Sequence, residues 1–304
     1  MELAIRRFLA AVLLCGLAGP VVAEERVTLG WGRMFTNDAL GDMKDRWRTG
    51  SYTLSRVRGP SWSGELPESF GEILEFRVRA EIITPESLTA AAPGDRRYAG
   101  VLTLGMHSHF QTAGLETSLG LDLAITGRQS GISRMQDVLH DFLDMTRPRV
   151  ASNQIGNGFH PTLVLETGHG FEIGRATIRP FAEAQAGLET FVRGGLDLSF
   201  GTYGRGALMI REQTTGQRYR AVPGSPEPGL TFTLGGDVAR VFDSELLPAG
   251  GAAVLSDTRE RLRAGIAWQG DRSSVLFGLT WLGKEFEGQR EAQTVGSINL
   301  QLNF

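Results

Sequence analysis

Strict alternation of apolar and polar residues recurs along this chain, and no other feature limits its fold as much. "RLRAGIAWQG" sets Leu262, Ala264, Ile266 and Trp268 on one face, and "SVLFGLTW" does so with Val275, Phe277, Leu279 and Trp281. "SINLQLNF" repeats the pattern with Ile298, Leu300, Leu302 and Phe304, and "GLDLSFG" with Leu196, Leu198 and Phe200. A period of two puts successive side chains on opposite faces of a strand. The second face holds residues such as Arg263, Asn299 and Gln301. Charges on an inner face would ruin the core of a soluble sandwich. They suit a barrel with a polar interior and a lipid-facing exterior. An antiparallel sheet with one solvated face shares the pattern. The 40 glycines favour the barrel, because curved sheets and tight turns use them.

The two ends of the chain carry separate signals. "MELAIRRF" supplies two arginines, and an apolar run follows that ends at Ala23. This is the layout of a secretory signal peptide, giving residues 1–23 as leader and 24–304 as the barrel domain. The single cysteine, Cys15, falls in the leader, so the mature chain has no disulfide. A formal net charge of -3 gives no footing for nucleic acid. No later stretch approaches 18 continuous apolar residues, which excludes a helical membrane span but not a barrel.

One segment breaks the alternation. In "RMQDVLHDFLDM", Arg134 to Met145, the residues Met135, Val138, Phe142 and Met145 recur at helical spacing, with Leu139 on the same side. Helical spacing would put Gln136 one turn before His140 and Asp144 one turn after it. Two readings stand: an oriented general base, or a plain amphipathic helix on a barrel rim. Asn37, Asp38, Asp42 and Asp45 cluster near the start of the mature chain. They offer oxygens to a hard cation, or they form an Asn/Asp-rich turn. Ser51 and Ser55 could act as nucleophiles only if a base reaches them, and no G-x-S-x-G elbow exists. The histidines at 107, 109, 160 and 169 fit no compact zinc signature, and His107 and His109 read as barrel-lining or loop residues. Arg211 to Gly229 reads as a long hairpin tip or a mobile loop.

Several blocks, taken in order, resemble one family. They are "TND" at 36–38 with "DRWRTGSYTLS" at 45–55, and "IITPESL" with "GDRRYAGVLTLG" between Ile82 and Gly105. "MQDVLHDFLD" followed by "ASNQIGN" and the closing "KEFEGQREAQTVGSINLQLNF" complete the set. Together they are similar to the outer-membrane lipid A deacylases of the LpxR family. Ile83 and Arg97 stand where that family has tyrosine and proline. The terminal Phe304 likewise resembles the assembly signal of bacterial outer-membrane proteins.

The resemblance implies an all-β fold: a closed antiparallel transmembrane β-barrel of twelve strands, with a short helix near the active site. It implies a site inside the barrel near the outer surface, and calcium-dependent hydrolysis of the 3'-linked acyloxyacyl ester of lipid A. Asn37 and Asp38 would take the paired positions near the metal, and His140 the general-base position. Ser51, Thr53 and Ser55 compete for the family's serine-or-threonine position. The family's glutamate after its histidine is missing; Asp141 and Asp144 stand nearby, so the expected metal shell is Asn37, Asp38, Asp141 and Asp144. Gln136 and Asp144 would orient the imidazole. Arg96 and Arg97 would meet substrate phosphates or sugar hydroxyls, or belong to an ordinary charged loop. The implied partners are lipid A or lipopolysaccharide, the outer-membrane bilayer and its assembly machinery, with a monomer acting alone. The competing readings are an outer-membrane phospholipase and a catalytically inactive barrel with a pore or structural role. The co-occurrence of Asn37-Asp38 with Gln136-His140 separates the enzyme from the pore, which needs no histidine-bearing helix.

Overall fold

The computed structural model describes residues 25–302, apart from 145, 146, 226 and 272. Both Met145 and Phe304, like the segment 1–23 expected to be a leader, lie outside the described residues. Twelve long strands form the wall. They are β1 Val27–Asn37, β2 Trp47–Gly59, β3 Ile73–Thr84, β4 Ala99–Thr112, β5 Leu115–Thr126 and β6 Gly158–Gly168, followed by β7 Ala176–Ala186, β8 Glu189–Phe200, β9 Gly229–Ser244, β10 Thr258–Gln269, β11 Ser273–Leu282 and β12 Gln293–Leu302. Each pairs antiparallel with its sequence neighbour, and the pairing of β1 with β12 closes the sheet. Closure removes the edges that an open sheet would leave unpaired in lipid.

The alternation read from the sequence maps onto the two faces of this wall. Leu262, Ile266, Trp268, Phe277, Leu300 and Phe232 stand exposed on the outside. The opposite phase holds Arg261, Arg263 and Asp237, all buried. An arginine on the lipid face near the midplane would cost about 2–4 kcal/mol, so these residues keep to the lumen. There they must be paired, because an uncompensated buried charge is costly. Arg261 Nε donates to Asp237 Oδ1 at 2.8 Å, and Arg263 bonds both Asp237 and Asp197.

The strand ends distinguish the two mouths. Val27 and Leu302 begin and end the wall at one mouth. The other mouth carries long connections, among them 127–157, and long loops mark the extracellular end of such barrels. At the mouth near the termini, β4 and β5 are joined by Ala113 and Gly114 at φ 50° and 76°. Two successive left-handed residues give the tight turn that matches strand twist.

The segment read as a hairpin tip or mobile loop is instead largely buried. Leu208–Arg211 pairs with Arg218–Val222, and this hairpin folds back into the lumen. Tyr219 and Ala221 are fully buried. Tyr219 meets Ser55 Oγ on β2 at 3.1 Å. Arg220 donates to Gln301, Gln269 and Ser274 at 2.6, 2.6 and 2.8 Å, and Arg211 to Glu166 and Asp197. A Cβ added to Gly30 of β1 would lie 2.2 Å from Ala221 O, so that glycine lets the hairpin lie against the wall. The polarity that suggested a solvent-facing loop instead satisfies a polar lumen. His107 and His109 do line that lumen: His107 Nε2 lies 2.7 Å from Asp122 and His109 Nε2 2.9 Å from Glu75.

Candidate active site

At the extracellular end, pairing aligns one row of residues across four strands. Asn37 stands opposite Gly50, Gly50 opposite Ile82, and Ile82 opposite Gly100. Ser51 and Glu81, one residue out of phase, point into the lumen, where Ser51 meets Glu212 of the plug hairpin. The row therefore lies on the outer face of the wall. The sequence segment expected to be helical is α1, Ile132–Phe142. It packs against that outer face: a Cβ on Gly100 would approach Ile132 Cβ to 2.9 Å, and Ser130 Oγ donates to Gly100 O at 3.1 Å. This corrects the expectation of a site inside the barrel. The candidate cluster is sandwiched between wall and helix on the lipid side.

The helix follows Gly131, a left-handed residue at φ 75°. Its buried residues are Ile132, Gln136 and His140, spaced four apart and so on one face. Tyr98 precedes β4 and packs beside Ile82, Val150 and Ala151. Its hydroxyl donates to Gln136 Oε1 at 2.9 Å, and Gln136 Nε2 lies 3.4 Å from His140 Nε2. Wall, amide and imidazole thus form one chain of polar contacts.

The acidic cluster approaches from the β1–β2 connection. A 3-10 turn, Asp38–Leu40, begins where Asn37 Oδ1 accepts from Ala39 N at 2.8 Å. Asp38 is buried, and its Oδ2 accepts from Arg46 N at 3.0 Å. Burial pushes the Asp38 carboxyl up to about 8, and the charges of Asp45 and Asp42 push the same way. Burial raises Asp45 as well; the nearby His140, when protonated, would favour its carboxylate. Thr49 Oγ1 donates to Asp45 Oδ1 at 3.1 Å and meets Thr84 Oγ1 at 3.2 Å. Two acids held close, Asp38 buried and Asp45 half-buried, call for a proton or a cation between them. Asp42 instead braces the connection, accepting from Lys44 N at 3.2 Å and from Arg46 Nη2 at 3.1 Å.

The other sequence candidates are spread out. Ser51 and Ser55 face the lumen, with Ser55 Oγ donating to Glu75 Oε1 at 2.5 Å, so the wall separates both from His140. Asp141 is exposed and paired with Arg147. The helix ends at Phe142, and Asp144 lies past it, exposed, at φ 54°. The one-turn spacing of Asp144 to His140 is therefore not realised. Arg96 is buried and ion-paired with Glu285, whereas Arg97 is exposed.

Two residues of the cluster escaped the sequence reading. Thr49 shares its sequence parity with Ser51, Thr53 and Ser55, so simple alternation sends it into the lumen. A register shift between Trp47 and Gly50, with Trp47 at φ 50°, re-aims this stretch. Arg48 then reaches the lumenal Glu81 at 2.9 Å while Thr49 joins the outer cluster. Tyr98 falls within "GDRRYAGVLTLG", where no local pattern gives it a role; its isolated bridge to Gln154 is a contact no such pattern announces.

Residues 8–304 match the family described as "Outer membrane protein LpxR". Among solved structures the chain is similar to LpxR from Salmonella typhimurium, at 17% identity and a TM-score of 0.74, over 90% of this chain and 100% of that one. It is more loosely similar to the KdgM porin in complex with disordered oligogalacturonate, at 6% identity and a TM-score of 0.40 over 90% and 98%. The beta domain of the Bordetella autotransporter Brka gives 13% identity and a TM-score of 0.43 over 90% and 99%. No curated protein matches the sequence. The barrel and its location in the outer membrane agree with the family match, which runs to the last residue: the chain belongs to the LpxR family of outer-membrane proteins.

Proposed function

We propose that the protein is a lipid A 3'-O-deacylase that uses calcium and cleaves the 3'-linked acyloxyacyl ester in the outer leaflet. Family membership supports the coarser statement, a lipid-modifying hydrolase of the outer membrane. One observation carries the finer one: His140 comes close to the half-buried Asp45, and Asp45 to the buried Asp38, on the lipid side of the wall at its extracellular end. An amphiphilic substrate reaches such a cluster sideways from the leaflet, without crossing the lumen.

Among the described residues, no three His, Cys, Asp or Glu side chains stand close enough to hold a metal by themselves. The residues nonetheless fit calcium: Asp38, Asp45 and the Thr49 hydroxyl are hard oxygen donors, and a cation would offset the burial that pushes both acids up. Calcium accepts such a partial shell, completed by water or substrate oxygens. Bound there, it would polarise the ester carbonyl and offset the charge of the oxyanion. His140 takes a proton from water as the water oxygen bonds to the carbonyl carbon. The bond from that carbon to the 3' sugar oxygen then breaks, and His140 returns the proton to the leaving oxygen. The products are a free acyloxyacyl acid and a sugar hydroxyl. Gln136, tied to Tyr98, holds the helix face that presents the ring.

A serine-dependent phospholipase is less well supported, because Ser51 and Ser55 lie across the wall from His140. A pore is disfavoured by the buried hairpin in the lumen. The test is expression in a host whose lipid A carries the 3'-acyloxyacyl group, followed by mass spectrometry of the extracted lipid. Loss of one acyloxyacyl unit is expected; an unchanged spectrum with folded protein present in the outer membrane contradicts the reading.

A further inference from the structure

The surface of α1 divides into three stripes, and only one is explained by the cluster. Ile132, Gln136 and His140 face the wall. Arg134 and Asp141 are exposed and charged on another side. The third stripe, Met135, Val138, Leu139, Phe142 and Leu143, follows i, i+3, i+4, i+7, i+8 and is exposed, with Phe142 at 84% and Val138 at 62%. An apolar stripe so exposed on a short helix has no partner within the described residues to account for it, and in water it would be costly.

Its surroundings identify the occupant. The helix lies on the outer face of β4, over Gly100. Below that contact the outward positions of β3 to β6 form the lipid-facing belt: Val78, Leu104, Leu121, Leu123, Phe159 and Leu163 are all exposed and apolar. The helix stripe continues this belt. A helix with one apolar side, one charged side and a third side against the wall is built to lie flat at a membrane surface. We propose that the stripe Met135–Val138–Leu139–Phe142–Leu143 inserts among the acyl chains of the outer leaflet, seating the helix in the bilayer interface. The proposal concerns how the helix is anchored and does not depend on which ester the cluster cuts. Its consequence is that the face bearing His140 is carried at the depth where acyl chains meet head groups.

The test uses site-directed spin labels on the barrel folded in dimyristoylphosphatidylcholine vesicles, with Cys15 absent or replaced by serine. Single cysteines are introduced as Val138→Cys, Phe142→Cys, Arg134→Cys and Asp141→Cys, with Leu104→Cys as the belt control. A heat-dependent gel shift verifies that each variant folds. Collision with oxygen, which concentrates in the bilayer, is compared with collision with a water-soluble nickel complex. Labels at 138 and 142 should favour oxygen, as the label at 104 does, whereas labels at 134 and 141 should favour nickel. Labels at 138 and 142 as open to nickel as those at 134 and 141 would overturn the proposal. So would labels at 138 and 142 shielded from both reagents, because protein would then cover the stripe. None of these outcomes involves hydrolysis, so failure here and failure of the deacylase reading are separate results.

Discussion

The Tyr98 hydroxyl donates to Gln136 Oε1 across 2.9 Å, and this bond joins the barrel wall to the helix that carries His140. Both partners are buried, at 0% and 1% exposure, so neither can exchange the bond for water. Their pairing fixes the helix against a rigid strand end, which is where a site gains precision. The helix needs such a tie because eleven residues make only a marginal helix alone.

Tyr98→Phe should therefore disturb the helix and leave the barrel intact. Gln136 Oε1 would lose its donor, at a cost of about 1–3 kcal/mol. A loss of about 1.4 kcal/mol in the transition state slows the reaction roughly tenfold. The deacylation rate should fall by that order while the gel shift of the folded barrel is unchanged. A normal rate would show that the bond does not position His140.

The wall divides the hydroxyls into two groups with different expected effects. Ser51→Ala and Ser55→Ala change only the lumen and should keep near-normal turnover. Thr49→Val removes the hydroxyl beside Asp45 and should weaken both calcium binding and turnover. Steady-state rates measured across a calcium titration distinguish the two groups. Loss of activity in Ser51→Ala with Thr49→Val active would reverse the assignment.

Asp38 gives a pH signature in protein freed of divalent cations. Its folded-state pKa of about 8 exceeds the ordinary 3.8, mainly through burial. The folded state then holds a proton that the unfolded chain releases between those values. The stability contributed by this group is fully present below about pH 4 and is lost as pH rises towards 8. Urea midpoints of wild type minus those of Asp38→Asn should fall across that window. Added calcium should flatten the fall, since a cation replaces the proton. A difference that stays constant with pH would contradict the buried acid.

The plug hairpin should leave the wild-type barrel poorly conducting. A larger residue at Gly30 cannot coexist with the present hairpin, because even a Cβ would sit 2.2 Å from Ala221 O. Gly30→Leu should displace the hairpin and raise single-channel conductance in planar bilayers. Equal conductance in the two proteins would mean that the hairpin does not seal the lumen.

The wall was legible in the sequence because lipid and lumen impose opposite demands on alternate residues. Leu262, Ile266 and Trp268 fell on the lipid face as their pattern required, and Arg263 on the lumenal one. The helix was legible because its spacing departs from period two. The place of the hairpin in the lumen was not: the segment with Arg218, Tyr219 and Arg220 read as a hairpin tip or a mobile loop, since sequence alone cannot tell a polar lumen from solvent. His140 and Asp38 stood out by type and grouping, and the structure brings both to the same end of the wall. Which side of the wall they share depends on register, and Thr49 depends on a bulge, neither of which leaves a compositional trace. Arg96 and Arg97, adjacent and chemically alike, separate into a buried ion pair with Glu285 and an exposed charge.

Hydrolysis by purified protein tests the central claim most directly. Folded wild type and His140→Asn are incubated with hexa-acylated lipid A and calcium, and the lipid products are weighed by mass spectrometry. Wild type should yield a lighter lipid that has lost one 3'-acyloxyacyl unit, together with the released acid. His140→Asn should keep its folded gel mobility and lose roughly 10²- to 10⁴-fold in rate, the usual worth of a positioned acid-base group. Near-normal turnover by His140→Asn would contradict water activation by His140, and no lighter lipid from folded wild type would contradict deacylation itself.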